Sequence, residues 1–241
     1  MKTALVTGAA RRIGRAVATH LAKGGWQVAV HVHQSVREGE QLVAALTAAG
    51  AHAFLVTGNL ADMADCTKIV DGVLKKTSKA TLLINSASTF TEDHVMSFSI
   101  DALENHMKVN AFGPLLLSRQ MVQQAGTCCI VNFLDSRVVD YDSLHASYHL
   151  SKRMFDAVTR MLAMELAPDV RVNAVAPGLI LPPVDQGDKY VAMRKKDVPL
   201  NRQGTLDEIC MAVDFLINNG FVTGQTIFVD GGRHLKGAFY G

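Results

Sequence analysis

Tyr148 and Lys152 stand four residues apart in "YHLSK", and Asp135 stands thirteen residues before the tyrosine. At positions i and i+4 a phenol and an ammonium share one face of a helix. A phenol titrates near ~10 in water, and a nearby ammonium favours its ionised form and lowers that value. Such a tyrosine can release a proton at neutral pH while a hydride arrives at the neighbouring atom. Tyr-x-x-x-Lys is common by chance. Its weight here comes from position, at the start of a helix that follows a strand, downstream of a glycine-rich turn.

That turn is "VTGAARRIGRA", between the first apolar run and the first helical stretch. Backbone N–H groups at a helix start can hold a pyrophosphate. Gly8 and Gly14 fit the dinucleotide fingerprint, with Ile13 beside the second; Arg12 occupies the place where a middle glycine is common. A plain tight turn is the alternative. The end of the second strand selects the cofactor, because NAD binders place Asp or Glu there against the ribose hydroxyls. The segment "HVHQS" holds no acid before Glu38. Arg12, His33, Gln34 and Ser35 can instead donate to a 2′-phosphate, so NADPH is expected over NADH. Ser35 also suits a helix N-cap, with Glu38 three residues on completing a capping box.

The elements that position these groups alternate. Strand-like runs are "TALVTG", "WQVAVHVH", "HAFLVTG", "ATLLINSAS", "TCCIVNFLD", "VRVNAVAP" and "QTIFVDGG". Helical patterns fall between them, including a long one over roughly 100–124, one over 147–167 ended by Pro168, and one opened by a capping box from Thr205 to Glu208. The strands are continuously apolar, which favours a parallel sheet covered on both faces. The expected fold is α/β: a single-domain doubly wound parallel sheet, Rossmann-type, with helices on both faces. One domain is expected over 1–241. The irregular stretch at about 178–200 follows a strand's carboxyl end and reads as a substrate loop.

Hydrophobic content of 49% is ample for one large core. Lys+Arg 24 against Asp+Glu 22 leaves the chain nearly neutral, so neither nucleic acid nor an anionic membrane is expected as partner. The cysteines, Cys66, Cys128, Cys129 and Cys210, include no CxxC pair, and no histidine cluster stands at zinc spacing. Reduced thiols, no metal and a soluble, cytoplasmic protein are the expectation.

Taken together, "TGAARRIG", "NSAS" at 85–88, "VNAFGP" at 109–114, "YHLSK" and "VNAVAPG" at 172–178 resemble the short-chain dehydrogenase/reductase superfamily over nearly the whole chain. That superfamily places a serine where Asp135 stands. An aspartate there resembles the pteridine reductase branch, whose catalytic set is Asp, Tyr and Lys. Arg12, the His31-x-His33-x-Ser35 pattern, "SASTF" at 86–90 and the C-terminal "FVTGQTIFVDGGRHL", similar to bacterial dihydromonapterin reductases, agree. The resemblance implies NADPH-dependent reduction of a 7,8-dihydropterin such as dihydromonapterin or dihydrobiopterin, or of dihydrofolate, in folate metabolism.

By the same resemblance, Tyr148 and Asp135 act as proton donor and relay. Lys152 orients the nicotinamide ribose, and Asn110 supports Lys152 through water. Asn59, Leu60, Ser86, Ala87, Pro177, Gly178 and Leu179 join the cofactor site. Ser88, Phe90 and Leu181 join the substrate site, with Phe90 stacked on the pterin. A homotetramer is implied. The chemistry is coherent, since a flat, electron-poor ring suits an aromatic wall and a reduced C=N bond needs a proton at nitrogen.

Plainer roles stay open. Asp135 could cap the strand end or pair with Arg137, Ser136 could be the working serine, and Phe90 could be core. His145 could be an alternative acid or a loop histidine. Arg233 and His234 could be an exposed tail or reach a neighbouring subunit. A carbonyl reductase of the same fold, acting on a 3-oxoacyl thioester or another ketone, and a non-catalytic NADPH-binding regulator are the competing functions.

Overall fold

The structure is a computed structural model describing residues 1–125, 129–183 and 186–236. Seven strands form one parallel sheet: β1 (Thr3–Val6), β2 (Gln27–Val32), β3 (Ala53–Thr57), β4 (Leu82–Asn85), β5 (Cys129–Phe133), β6 (Arg171–Pro177) and β7 (Thr226–Val229). Their spatial order is β3-β2-β1-β4-β5-β6-β7. The continuous apolar runs follow from burial on both sides. In β1, Ala4 and Val6 enter one core while Leu5 enters the other, as a period of two requires.

The first core is closed by α1 (Arg12–Lys23), α2 (Val36–Ala48) and α8 (Leu206–Asn218). The second is closed by α3 (Met63–Leu74), α5 (Gly113–Ala125) and α6 (Ala146–Glu165). Strand order reverses between β1 and β4, and the crevice at such a reversal is where ligands bind in open α/β sheets. Among the described residues no helix is long and apolar enough to cross a membrane.

Four expectations need correction. The helix over 100–124 is two helices, α4 (Ile100–Met107) and α5, joined by a π-helical turn at Lys108–Phe112. Gly113 ends that turn where an added Cβ would lie 2.6 Å from the Leu60 carbonyl oxygen, so the helix presses directly on the Leu60 loop. The Ser35–Glu38 capping box does not form. Ser35 is the N-cap of α2 without a side-chain cap bond, and Glu38 is taken by an ion pair with Arg11.

The 178–200 stretch is not wholly irregular, since it contains α7 (Gly187–Arg194) and a 3₁₀ turn at Lys195–Asp197. Arg233 and His234 are not a free tail; they lie in the short α9 (Arg233–Lys236), with His234 stacked on Phe228 and bonded to buried Asp230. The Thr205–Glu208 box at the start of α8 forms as expected. Cys66, Cys129 and Cys210 are free thiols, and Cys128 lies outside the described residues.

Candidate active site

The site is built where β1, β4 and β5 end and α6 begins. Thr7 joins the first two: its Oγ1 accepts the N–H groups of Ser86 and Ala87, each at 3.0 Å. Gly8 turns the chain with φ +63, and an added Cβ would lie 2.8 Å from the Ala87 Cα. Only glycine permits both. Behind this turn, His31 is buried and its pKa is pushed down to about 4 by burial. It is therefore neutral, with Nε2–H donating to the Gly58 carbonyl at 3.1 Å and Nδ1 accepting from the Gly8 N–H at 3.4 Å. His31 thus braces the phosphate turn, while His33 and Gln34 are exposed at the end of β2.

The crevice fits a phosphorylated dinucleotide by its donors. The N-cap of α1, Arg11, makes no side-chain cap bond, and the first turn carries no acid, so the helix N–H groups are free for an anion. Ser35 likewise spends no cap bond on α2. Arg12 is different from the expectation. It holds a left-handed φ of 54, and its guanidinium donates to the Pro182 carbonyl at 2.9 Å and the Leu181 carbonyl at 3.5 Å, tying the turn after β1 to the stretch that follows β6.

The other residues expected around the cofactor lie after β3, after β4, at the start of α1 and at the end of β6. Asn59 Oδ1 accepts from Ala61 N–H at 3.0 Å, beside buried Leu60. Ser86 and Ala87 follow β4. Ile13 and Gly14 open α1, Gly14 packing directly on the Gly8 carbonyl. Pro177 ends β6, Gly178 and buried Leu179 follow it, and Gly178 lies against Asp230.

A polar chain fixes α6 to the sheet. Asn85 Nδ2 donates to Asn132 Oδ1, and Asn132 Nδ2 donates to Thr159 Oγ1, each at 2.9 Å. Lys152 reaches the end of β5, its Nζ donating to the Phe133 carbonyl at 2.8 Å. Burial lowers its pKa to about 8. Asn110, on the π turn, uses its whole amide: Oδ1 accepts from Thr89 N–H (2.8 Å) and Ser88 Oγ (3.1 Å), and Nδ2 donates to Thr89 O (3.0 Å) and Ser151 Oγ (2.9 Å). With two donors and two acceptor sites engaged, the side chain braces the Ser88–Thr89 segment and α6.

Asp135 and Tyr148 meet. Tyr148 Oη donates to Asp135 Oδ2 at 3.0 Å, while Asp135 Oδ1 accepts the Arg137 N–H at 2.8 Å and caps the 3₁₀ turn Ser136–Val139. Capping and contact with the phenol therefore coexist. Arg137 does not pair with Asp135; its guanidinium meets Asp142. Ser136 is buried with its hydroxyl unpartnered. The expected lowering of the tyrosine pKa is reversed. Burial first, and then the Asp135 carboxylate, hold Tyr148 well above the ordinary phenol value, while Lys152 Nζ lies 5.7 Å from the centre of its ring.

Phe90 is not core. It is 55% exposed, stacked on His145 at 4.2 Å and edge-on to Tyr148 at 4.7 Å. The sequence reading missed what holds His145. Its Nδ1 bonds Asp142 Oδ1 at 2.8 Å, and the same carboxylate bears Arg137. Asp142, His145 and His149 bring ligand-type atoms within 4.8 Å of one another, but their hydrogen bonds already join them: the Asp142 N–H donates to His149 Nε2 at 3.2 Å. The cluster is a brace for Phe90. A donor-ready phenol, a carboxylate in contact with it and an exposed aromatic face can together protonate a flat acceptor.

Residues 8–234 match the sequence model of a family described as enoyl-(acyl carrier protein) reductase. The short-chain dehydrogenase/reductase eriH of Hericium erinaceus is 29% identical over 95% of this chain and 96% of its own length. The 3-oxoacyl-[acyl-carrier-protein] reductase FabG of Staphylococcus aureus is 30% identical over 97% and 98%. Two solved structures are also similar, each 35% identical over 97% of this chain. One is FolM alternative dihydrofolate reductase 1 of Brucella canis complexed with NADP, with a TM-score of 0.91 and 94% of that chain covered. The other is its Brucella suis counterpart in complex with NADP, at 0.93 and 95%.

Proposed function

This chain belongs to the short-chain dehydrogenase/reductase family, and from that premise we propose that it is an NADPH-dependent reductase of a 7,8-dihydropterin or dihydrofolate. The observation that carries the reading is the 3.0 Å hydrogen bond between Tyr148 and Asp135, at the position where a ketone reductase of this family has a serine. The similarity to the FolM structures supports it.

NADPH supplies a hydride when bound. The free N–H groups at the start of α1 hold its pyrophosphate, and Ser35, His33 and Gln34 take the 2′-phosphate at the acid-free end of β2. Phe90 offers a ring face to the pterin, steadied from behind by His145. Tyr148, kept protonated by burial and by its neighbour, gives its proton to the ring nitrogen adjoining the reduced carbon. The resulting phenolate recovers a proton from solvent, relayed by the Asp135 carboxylate that its oxygen touches. Lys152, its ammonium anchored on the Phe133 carbonyl and its pKa lowered to about 8 by burial, holds the ribose of the cofactor.

The second reading, reduction of a 3-oxoacyl thioester or other ketone, is supported by the FabG similarity. The two are separated by an NADPH-oxidation assay with dihydromonapterin, dihydrobiopterin, dihydrofolate and a model ketone side by side. The pterin reading expects turnover of at least one of the first three well above that of the ketone; turnover of the ketone alone overturns it.

A further inference from the structure

Beyond Asp135, three segments that pack together each carry an arginine. Arg137 lies on the 3₁₀ turn that Asp135 caps. Arg233 opens α9, which packs on that turn. Arg194 ends α7, and the 3₁₀ turn after it is tied to α9: Lys236 Nζ donates to the Lys196 carbonyl at 3.1 Å, and the Leu200 N–H donates to the Gly231 carbonyl at 3.2 Å. The approach is close. Gly231 has φ +64, and a Cβ there would lie 2.5 Å from Val198 Cγ1.

The three cations are unequally neutralised. Arg137 is paired with Asp142 and is 20% exposed. Burial first, and then the charges of Arg233 and, less, Arg194, lower its pKa, with Asp135 acting the other way. Among the described residues Arg194 touches acid only at Asp197, 3.5 Å away, with its side chain 43% exposed and its Nε buried without a hydrogen-bond partner there. Arg233 has no acidic partner among the described residues. Like charges gathered this way are held most favourably when an anion sits among them.

The proposed chemistry says which part of a substrate arrives there. If Tyr148 and Asp135 serve the ring nitrogen next to the reduced carbon, the side chain borne by that carbon begins beside Asp135. It then leads outward past the segments that carry the arginines. Resting on the pterin reading above, we propose that Arg194 and Arg233, backed by Arg137, bind an anionic group on that side chain, so that the preferred substrate is an acidic pterin rather than a neutral polyol one. Two sources share this chemistry: the carboxylates of a glutamyl tail and a phosphate ester.

The test compares wild type with Arg194→Gln/Arg233→Gln on dihydrofolate, dihydropteroate, a phosphate ester of dihydroneopterin and dihydrobiopterin. The expected result is a fall of about tenfold or more in the ratio of kcat/KM for the preferred acidic pterin over dihydrobiopterin, carried by KM, as loss of charge-assisted hydrogen bonds implies. Added salt should lower the same ratio in wild type, and Arg233→Lys in an otherwise wild-type chain should retain most of it. Preference for dihydrofolate over dihydropteroate assigns the site to the glutamyl tail; preference for the ester assigns it to phosphate. An unchanged ratio with all pterins still reduced, or no wild-type preference for either acidic form, overturns the inference alone. Failure to reduce any pterin overturns the underlying reading and the inference with it.

Discussion

Asp135 Oδ2 accepts the hydroxyl of Tyr148 at 3.0 Å, and the other carboxylate oxygen is fixed at 2.8 Å by the Arg137 N–H. The carboxylate cannot turn away from the phenol without uncapping its own turn. A fixed negative neighbour and burial both disfavour the phenolate. In the cofactor-free protein, ultraviolet difference titration of wild type against Tyr148→Phe should therefore show no phenolate from Tyr148 below pH 10. Asp135→Asn, which keeps an acceptor but removes the charge, should bring ionisation to lower pH. Phenolate absorbance from wild-type Tyr148 near pH 8 would contradict this.

The cofactor reading turns on the end of β2. Ser35 makes no cap bond, and Glu38, the nearest acid, is committed to Arg11. Ser35→Asp would set a carboxylate where a 2′-phosphate is expected and where ribose hydroxyls would welcome it. The ratio of kcat/KM for NADPH over NADH should exceed one in wild type and fall by about tenfold or more in the variant. A wild-type preference for NADH would refute the reading.

Arg12 holds an unfavourable backbone conformation and spends its guanidinium on the Leu181 and Pro182 carbonyls. Arg12→Gly relieves a backbone cost of about 1 kcal/mol while cutting the tie. Hydrogen exchange of the Leu179, Ile180 and Leu181 amides should quicken, with the melting temperature little changed. Unaltered exchange there would show that the tie does not hold the loop.

His31 makes stability depend on acid. Its folded pKa of about 4 lies below its ordinary 6.5, so the unfolded chain binds the extra proton first as pH falls. The contribution is full above pH 6.5 and is lost as pH drops toward 4. His31→Gln, which can still donate and accept, should flatten that part of the wild-type curve in denaturant titrations at stepped pH, at a cost near neutrality of roughly 1 kcal/mol. An identical slope in the variant would contradict the assignment.

The fold was legible because burial on both faces writes itself into the strands: "TALV" and "NAVAP" have no polar face to hide. The Thr205–Glu208 box was legible because both partners are local. Ser35–Glu38 has the same spacing and failed, because Arg11 comes from another element and no periodicity announces it. The π turn at Lys108–Phe112 exists where Asn110 satisfies four partner groups from two other segments of the site, the Ser88–Thr89 loop and α6, and only the folded chain brings those together. Within 187–194, "GDKYVAMR" carries no apolar stripe at helical spacing, so α7 was invisible.

In the site, the thirteen-residue offset placed Asp135 against Tyr148 correctly. The direction of the tyrosine's pKa was misjudged because i, i+4 spacing brings Lys152 onto the same face but does not say where its ammonium points. Its hydrogen bond to Phe133 O carries it away from the phenol.

The most direct measurement is the substrate selectivity of Asp135→Ser. If the carboxylate serves a ring nitrogen, kcat/KM for the dihydropterin should fall by about a hundredfold or more, within the range that general acid–base groups supply. Affinity for NADPH should persist, and turnover of a model ketone should be kept or improved. Dihydropterin reduction within a few-fold of wild type would contradict the account.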